Sequence, residues 1–237
     1  MLVDDKPIMP EKLLLSVAEQ LKLPLLQIAR RSELADLRGE ALDAKGTQAT
    51  AEAALRLIDS YVLGVQLAEA GQEHIVLEPV SVSAVLYDAA QQLDRMARFY
   101  GVKLELHVDG RYGTVLAHRQ GLQAAFTSLS MALIEALPAL DSEHVTLHFM
   151  THRSRYGIVA GVYSDIPNLN TALLKRGNSL LGKSRQPLVG LTHSSGAGVF
   201  VAESILQTLQ LRLVTTRHQH MRGLGTILQP NKQLQLV

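Results

Sequence analysis

Histidines and one pair of closely spaced glycines are the residues of this chain whose types and spacing could support chemistry. His144, His148 and His152 recur every four residues in a segment that alternates as a strand, so all three share one face. Such a face could bind a metal or sense pH, but a solvent-facing sheet surface is the more common reason for this pattern, and we predict no metal site. Gly196 and Gly198 precede an apolar helical segment, where backbone amides favour phosphate, although close packing also explains this spacing.

Composition narrows the class of protein. The 237 residues are 47% hydrophobic, and 23 basic residues balance 22 acidic ones to a formal charge of +1. This balance gives no reason to expect nucleic acid or a membrane as a partner. The chain has no cysteine, which excludes a disulfide scaffold and a thiol nucleophile. No apolar run reaches the roughly 18 residues of a membrane span, and we predict a cytoplasmic protein.

Residues 10–70 predict two long helices. The first apolar stripe consists of Leu14, Val17, Leu21, Leu25 and Ile28, and the second of Ala51, Leu55, Ile58, Val62 and Val65. Lys45-Gly46-Thr47 breaks the pattern and predicts the turn between the helices. Such a hairpin cannot cover its own apolar stripes, so we expect a second copy to complete a four-helix bundle. Packing of the hairpin on the rest of its own chain is the alternative.

After a predicted linker at residues 71–79, helical and strand periods alternate. We predict helices at 80–100, 119–137 and 197–209, and strands at 102–108, 114–117, 145–152, 156–163, 211–216 and 226–228. Residues 164–195 are rich in Ser, Gly, Asn and Pro and predict a long loop. The expected fold class is α+β, with a helical hairpin over residues 1–72 and a mixed α/β sandwich over residues 76–237.

The segment from Ala18 to Leu25 has the sequence A-E-Q-L-K-L-P-L, with a basic residue and a proline inside a helix. Together with the order of the elements, it resembles the core of a sensor histidine kinase, in which a dimerising helical hairpin precedes an ATP-binding domain. The family string is S-H-E-L-R-T-P-L, and Glu19 stands at the position of its phosphoacceptor histidine. Because a carboxylate cannot form the stable phosphoramidate of an imidazole, the resemblance implies that autophosphorylation is lost.

The nucleotide-binding strings of that family are represented in part. Ser128 and Ala132 stand where the family has asparagines on the magnesium-binding helix, and an alanine offers no oxygen to a cation. Asp165 matches the aspartate that binds adenine, but the glycines that should follow it are missing, and a loop residue or a helix cap is the alternative. Gly196 and Gly198 match the glycine box before a helix.

Two more segments extend the resemblance. R-G-L-G-T, from Arg222 to Thr226, is similar to the string that opens the last strand of the kinase domain. The loop at residues 164–195 corresponds to the family's lid over the nucleotide.

The resemblance implies a catalytically impaired signalling module that forms a homodimer and docks a response-regulator receiver or a partner histidine kinase. The residues implied in docking lie on the first helix, and they are Glu19, Lys22, Leu23, Leu26 and Arg30. We expect no cofactor, although weak or metal-independent binding of ATP or ADP through Asp165, Gly196 and Gly198 would make the chain a nucleotide sensor. A histidine phosphotransferase, which Glu19 disfavours, and a purely structural oligomerisation module are also compatible with the architecture.

Overall fold

The computed structural model describes residues 10–70, 72–108, 112–136, 145–166 and 197–230. The helices in these ranges are α1 (Pro10–Arg38), α2 (Ala44–Ala70), α3 (Val82–Phe99), α4 (Arg119–Ala136) and α5 (Ala197–Thr208). The strands are β1 (Glu78–Val80), β2 (Val102–Val108), β3 (Val115–Ala117), β4 (Val145–Ser154), β5 (Gly157–Ser164), β6 (Val214–His218) and β7 (Met221–Leu228). None of the helices in the described ranges is both long and apolar enough to cross a bilayer.

Residues 39–43 join α1 to α2, and the turn predicted at Lys45-Gly46-Thr47 is wrong by several residues. Gly39 ends α1 with a φ of +62°, which glycine adopts without strain. The side chain of Asp43 accepts a hydrogen bond from the Gly46 amide at 3.1 Å and so caps α2. Because this cap starts α2 early, the residues predicted to break the helix form its first turn instead.

Five strands form one mixed sheet in the order β2-β4-β5-β7-β6. β2 pairs with β4 in parallel, and the other neighbours are antiparallel, so the strands predicted at residues 145–152 and 156–163 form a hairpin. β1 and β3 pair separately. The first two residues of β1 lie in the segment predicted as a linker, residues 71–79. The alternation of apolar and polar residues did not predict this strand, because it has only three residues and includes Pro79.

One face of the sheet packs against α3 and α4, and α5 packs against α4, and together they form the core. The largest fully buried side chains of this core include Leu86, Leu93, Phe126, Phe149 and Phe200. Each such side chain contributes about 1.5–3 kcal/mol to folding through burial. The opposite face of the sheet, which carries Glu105, His148 and Tyr163, is called the outer face below.

The pair of α1 and α2 also packs on this core within the same chain. Leu57 and Leu67 of α2 belong to the core cluster, and Gly64 lets α2 approach Ile205 of α5 closely. The Tyr100 hydroxyl at the end of α3 donates a 2.8 Å hydrogen bond to Gln27 of α1. The packing that the sequence left open as an alternative is therefore present on one face of the helix pair.

Candidate functional site

Three of the five residues in the apolar stripe predicted on α2 lie outside the face that α2 buries in its own chain. Leu57 and Leu67 point into the core, whereas Leu55, Ile58 and Val62 are 59%, 37% and 43% exposed. Consecutive helical residues differ by about 100° around the axis, so Leu55 lies about 200° from Leu57. Leu55, Ile58 and Val62 therefore form an apolar surface on the side of α2 away from the core, whereas Val65, the last residue of the predicted stripe, packs against the core.

α1 exposes further apolar side chains beside predicted docking residues. Leu25 and Leu26 are each 58% exposed, and Arg30, one turn after Leu26, is exposed as well. Pro24 is buried and lies within a continuous α1. The side chains of the other predicted docking residues, which are Glu19, Lys22 and Leu23, lie outside the described part of the chain.

The positions that correspond to magnesium ligands lie inside the protein. Ser128 is fully buried in α4, and its hydroxyl has no hydrogen-bond partner in the described part of the chain. Ala132, one turn later, is 2% exposed. α4 therefore presents small buried side chains at these two positions rather than carboxamides that face a nucleotide.

The candidate nucleotide-binding residues lie in different layers of the fold. Asp165 follows β5, and its Oδ1 atom is 3.7 Å from Nε2 of His148 on the outer face. Gly198 is buried in the first turn of α5, which belongs to the helix layer. Gly196 and the predicted lid after residue 166 lie outside the described residues. The structure thus places Asp165 next to a histidine that the resemblance did not implicate.

Two neighbouring strands bring a carboxylate and two imidazoles together on the outer face. Alternation puts Glu105 and His107 on one side of β2, and the parallel register places Glu105 beside His148 of β4. The Oε2 atom of Glu105 is 3.1 Å from Nε2 of His107 and 3.5 Å from Nδ1 of His148. The two imidazole ring centres are 5.2 Å apart.

Electrostatics favour a charged Glu105 and a neutral His148. The hydrogen bond from Lys103, whose Nζ is 2.7 Å from Oε1 of Glu105, lowers the pKa of Glu105. Burial lowers the pKa of His148, and the charges of Asp165 and Glu105 oppose this shift without cancelling it. At neutral pH the cluster therefore offers an anionic oxygen and an unprotonated imidazole nitrogen.

The sequence predicted that the histidines of β4 share one face, but it did not predict that Glu105 and His107 lie beside His148. His148 and His152 lie on the same side of β4, as alternation requires, and His144 lies outside the described residues. Glu105 and His107 come from a strand far away in the sequence, and only the β2–β4 pairing unites them with His148. The available signal was the alternation of polar residues in β2, which does not identify the neighbouring strand.

A second group of rings covers the middle of the outer face. The rings of His152 and His218 stack at 4.4 Å with planes 15° apart. The Tyr163 hydroxyl donates to Thr216 Oγ1 at 3.3 Å and lies 3.3 Å from Nδ1 of His152. Burial raises the pKa of Tyr163 to about 12, so its hydroxyl stays protonated at neutral pH. The side chain therefore has a structural role through packing and hydrogen bonding.

Solved histidine kinase structures are among those similar to this chain in fold. The histidine kinase AdeS of Acinetobacter baumannii matches 90% of this chain and 98% of its own, with 14% sequence identity and a TM-score of 0.51. ShkA, solved at full length in complex with AMPPNP, matches 94% of this chain over 47% of its own, with 14% identity and a TM-score of 0.52. No protein-family model matches the sequence, and no curated protein has a significantly similar sequence. The chain has a mixed α/β fold of the kind found in histidine kinase ATPase domains.

Proposed function

We propose that this chain is a catalytically impaired, histidine-kinase-like signalling module that forms a homodimer through α1 and α2. The exposed stripe of Leu55, Ile58 and Val62 carries the proposal, because contiguous apolar surface on a folded protein marks an interaction site. These side chains are already about half covered within one chain, so burial of the remainder contributes about 1 kcal/mol each, and pairing the stripe with a second copy stabilises a dimer. The helix pair of two copies forms the four-helix bundle.

Loss of kinase chemistry is proposed from three positions. Glu19 replaces the family's phosphoacceptor histidine, and Ser128 and Ala132 replace the asparagines that hold magnesium. Burial of Ser128 and Ala132 supports the proposal, because a buried hydroxyl and a methyl group do not replace exposed carboxamide oxygens as ligands of a hard cation. The proposed role therefore does not depend on ATP turnover.

The proposed docking surface for a response-regulator receiver or a partner kinase lies on α1. Leu26 and Arg30 are exposed one turn apart, which combines an apolar contact with a positive charge. A charge of this sign complements an acidic surface and speeds and orients its docking.

Nucleotide sensing is the weaker candidate. It requires Asp165 to face a nucleotide bound near Gly198, whereas Asp165 lies next to His148 on the outer face. We therefore propose that the signalling role needs no ATP or ADP. Calorimetric titration of the chain with ATP, with and without Mg²⁺, is expected to show no binding with a Kd below about 100 μM. That Kd corresponds to a binding free energy of about −5.5 kcal/mol.

Crosslinking tests the dimer face, and the absence of cysteine makes the chain well suited to it. Single cysteines are placed at Leu55, Ile58 and Val62, and a matched one at Leu116 of β3, which is 49% exposed. With a short bis-maleimide, the stripe variants are expected to give a product of twice the 25.9 kDa chain mass, and Leu116→Cys to stay monomeric. Equal crosslinking of all four variants, or none, would contradict the proposed dimer face.

Binding to isolated receiver domains and kinase cores tests the docking surface. We expect at least one of them to bind the wild-type chain, and Arg30→Glu to weaken that complex about tenfold, or about 1.4 kcal/mol. Arg212→Glu, which reverses an exposed charge outside the helix pair, is the control and should leave the affinity unchanged. Equal effects of the two substitutions would exclude the Leu26–Arg30 surface.

A further inference from the structure

We infer that Glu105, His107 and His148 form a binding site for one zinc ion on the outer face of the sheet, and that Asp165 positions the His148 ring. This site is independent of the proposed dimer, because none of its four residues belongs to α1 or α2. Its residues come from β2, from β4 and from the position that follows β5.

The distances among the side-chain atoms suit a tetrahedral ion. One ligand atom from each of Glu105, His107 and His148 lies within 4.8 Å of the other two. Zinc bonds of about 2.0–2.2 Å place neighbouring tetrahedral ligands about 3.3–3.6 Å apart. The 3.1 Å and 3.5 Å separations of Glu105 Oε2 from the two imidazoles are close to this spacing, and the ligand atoms of the two imidazoles lie within 4.8 Å of each other, so the rings must approach one another to complete the geometry.

The donor set favours zinc over calcium or magnesium. Two imidazole nitrogens and one carboxylate oxygen are common zinc ligands, whereas calcium and magnesium prefer oxygen ligands throughout. Lys103 holds the Oε1 atom of Glu105, which leaves Oε2 directed at the histidines. Three protein ligands leave a fourth position for water or for a group from a binding partner.

His148 supplies the second, independent observation. Its Nδ1 atom is buried and makes no hydrogen bond in the described part of the chain, although it lies on the Glu105 side of the ring. A buried polar atom without a partner is costly, and an ion bound at Nδ1 would satisfy it. The Nε2 atom at the other side of the ring lies 3.7 Å from Asp165. A carboxylate that accepts a hydrogen bond from the second nitrogen of a metal-bound histidine fixes the ring and its tautomer, and a small rotation of the exposed Asp165 side chain would form that bond.

An ion at this position would join the edge of the sheet to its interior. β2 is an edge strand, and its described sheet partner is β4. Zinc held by Glu105 and His107 on one strand and by His148 on the other would link the two strands through side chains. We therefore expect zinc to raise the thermal unfolding midpoint of the chain.

Titration of the full chain without an affinity tag tests the site, with zinc chloride in the calorimeter and cobalt(II) followed by its visible absorption. We expect one ion per chain and intense tetrahedral cobalt bands. His107→Ala and Glu105→Gln, both at partly exposed positions, are expected to weaken binding at least tenfold and to remove those bands. Asp165→Asn is expected to weaken it about tenfold, as loss of a carboxylate behind a ligand does. His74→Ala, at an exposed histidine in the 3-10 turn Gln72–His74, is the control and should bind as the wild type does.

Two results would overturn the inference. One is the absence of saturable binding up to about 1 mM zinc, which corresponds to about −4.1 kcal/mol. The other is unchanged affinity in His107→Ala and Glu105→Gln, because the ion would then be bound by other residues. Wild-type affinity in Asp165→Asn would overturn the positioning role of Asp165.

Discussion

At the scale of single residues, the buried ring of Tyr163 determines which side chains fit beside it on the outer face. Its ring is fully buried and lies against glycines on two strands, and a Cβ atom at Gly223 would be 2.5 Å from Tyr163 Cδ1. The R-G-L-G-T string, which the sequence matched to the last kinase strand, thus contains a glycine that makes room for this ring.

Gly223→Ala is expected to lower the free energy of unfolding by about 1–3 kcal/mol, because the added methyl group overpacks against the Tyr163 ring. Urea unfolding measures the effect. Gln120→Ala, at an exposed position of α4, is the control and should change the free energy by less than about 0.5 kcal/mol. A Gly223→Ala chain as stable as the wild type would show that both the Tyr163 ring and the Val162 backbone oxygen, 2.7 Å from the added Cβ, can move away.

The stacked imidazoles predict a pH dependence of stability. Burial and then the neighbouring His218 lower the pKa of His152 in the folded chain. In the unfolded chain His152 has the ordinary histidine pKa of about 6.5. As the pH falls, His152 is therefore protonated at a higher pH in the unfolded chain than in the folded chain. The contribution of His152 to the free energy of unfolding is therefore fully present above its pKa in the unfolded chain. It decreases as the pH falls from there toward the lower pKa of His152 in the folded chain.

Urea unfolding between pH 8 and pH 5 measures this dependence. Carboxylates contribute to the total slope, so the comparison is between the wild type and His152→Gln, which lacks the titrating ring. The wild type is expected to lose more stability than the variant across this window. Identical slopes would show that His152 titrates with the same pKa in the folded and unfolded states.

At the scale of elements, α2 has two apolar faces with different roles. Leu57 faces the core, and Leu55 lies in the exposed stripe. Leu57→Ala is expected to lower the free energy of unfolding by about 2–5 kcal/mol, because it leaves a cavity among buried side chains. Leu55→Ala should change the stability of the separated chain by less than about 0.5 kcal/mol.

Chemical denaturation at concentrations low enough to separate the chains distinguishes the two leucines. Similar losses from both substitutions would mean that the stripe is buried within one chain rather than between two chains.

The elements also show what the sequence could predict. The predicted bounds of α3, α4 and α5 lie within two residues of those observed, because α3 is strongly amphipathic and α4 and α5 are long apolar segments with clear ends. The strand predicted at residues 211–216 begins later, at Val214, since Gln210 has a φ of +59° and the chain is still leaving α5. The Glu105–His107–His148 cluster was not predictable, because it depends on which strands pair and in which register.

At the scale of the whole molecule, the helix pair and the α/β layers form one unit. The similarity in fold to AdeS and ShkA agrees with the mixed α/β fold predicted from the sequence. Which face of α2 would pack within the chain was not predictable, because both faces are apolar enough and the choice depends on the contacts of Gly64 and Leu67 with neighbouring helices. The remaining stripe is the basis of the proposed dimer.

Sedimentation equilibrium of the wild-type chain at micromolar concentration tests the central proposal most directly. We expect a mass of twice 25.9 kDa for the wild type and for the control Leu116→Glu, and a mass near 25.9 kDa for Leu55→Glu, which places a charge in the stripe. A wild-type chain that remains at 25.9 kDa, or a Leu55→Glu chain that stays dimeric, would contradict the account.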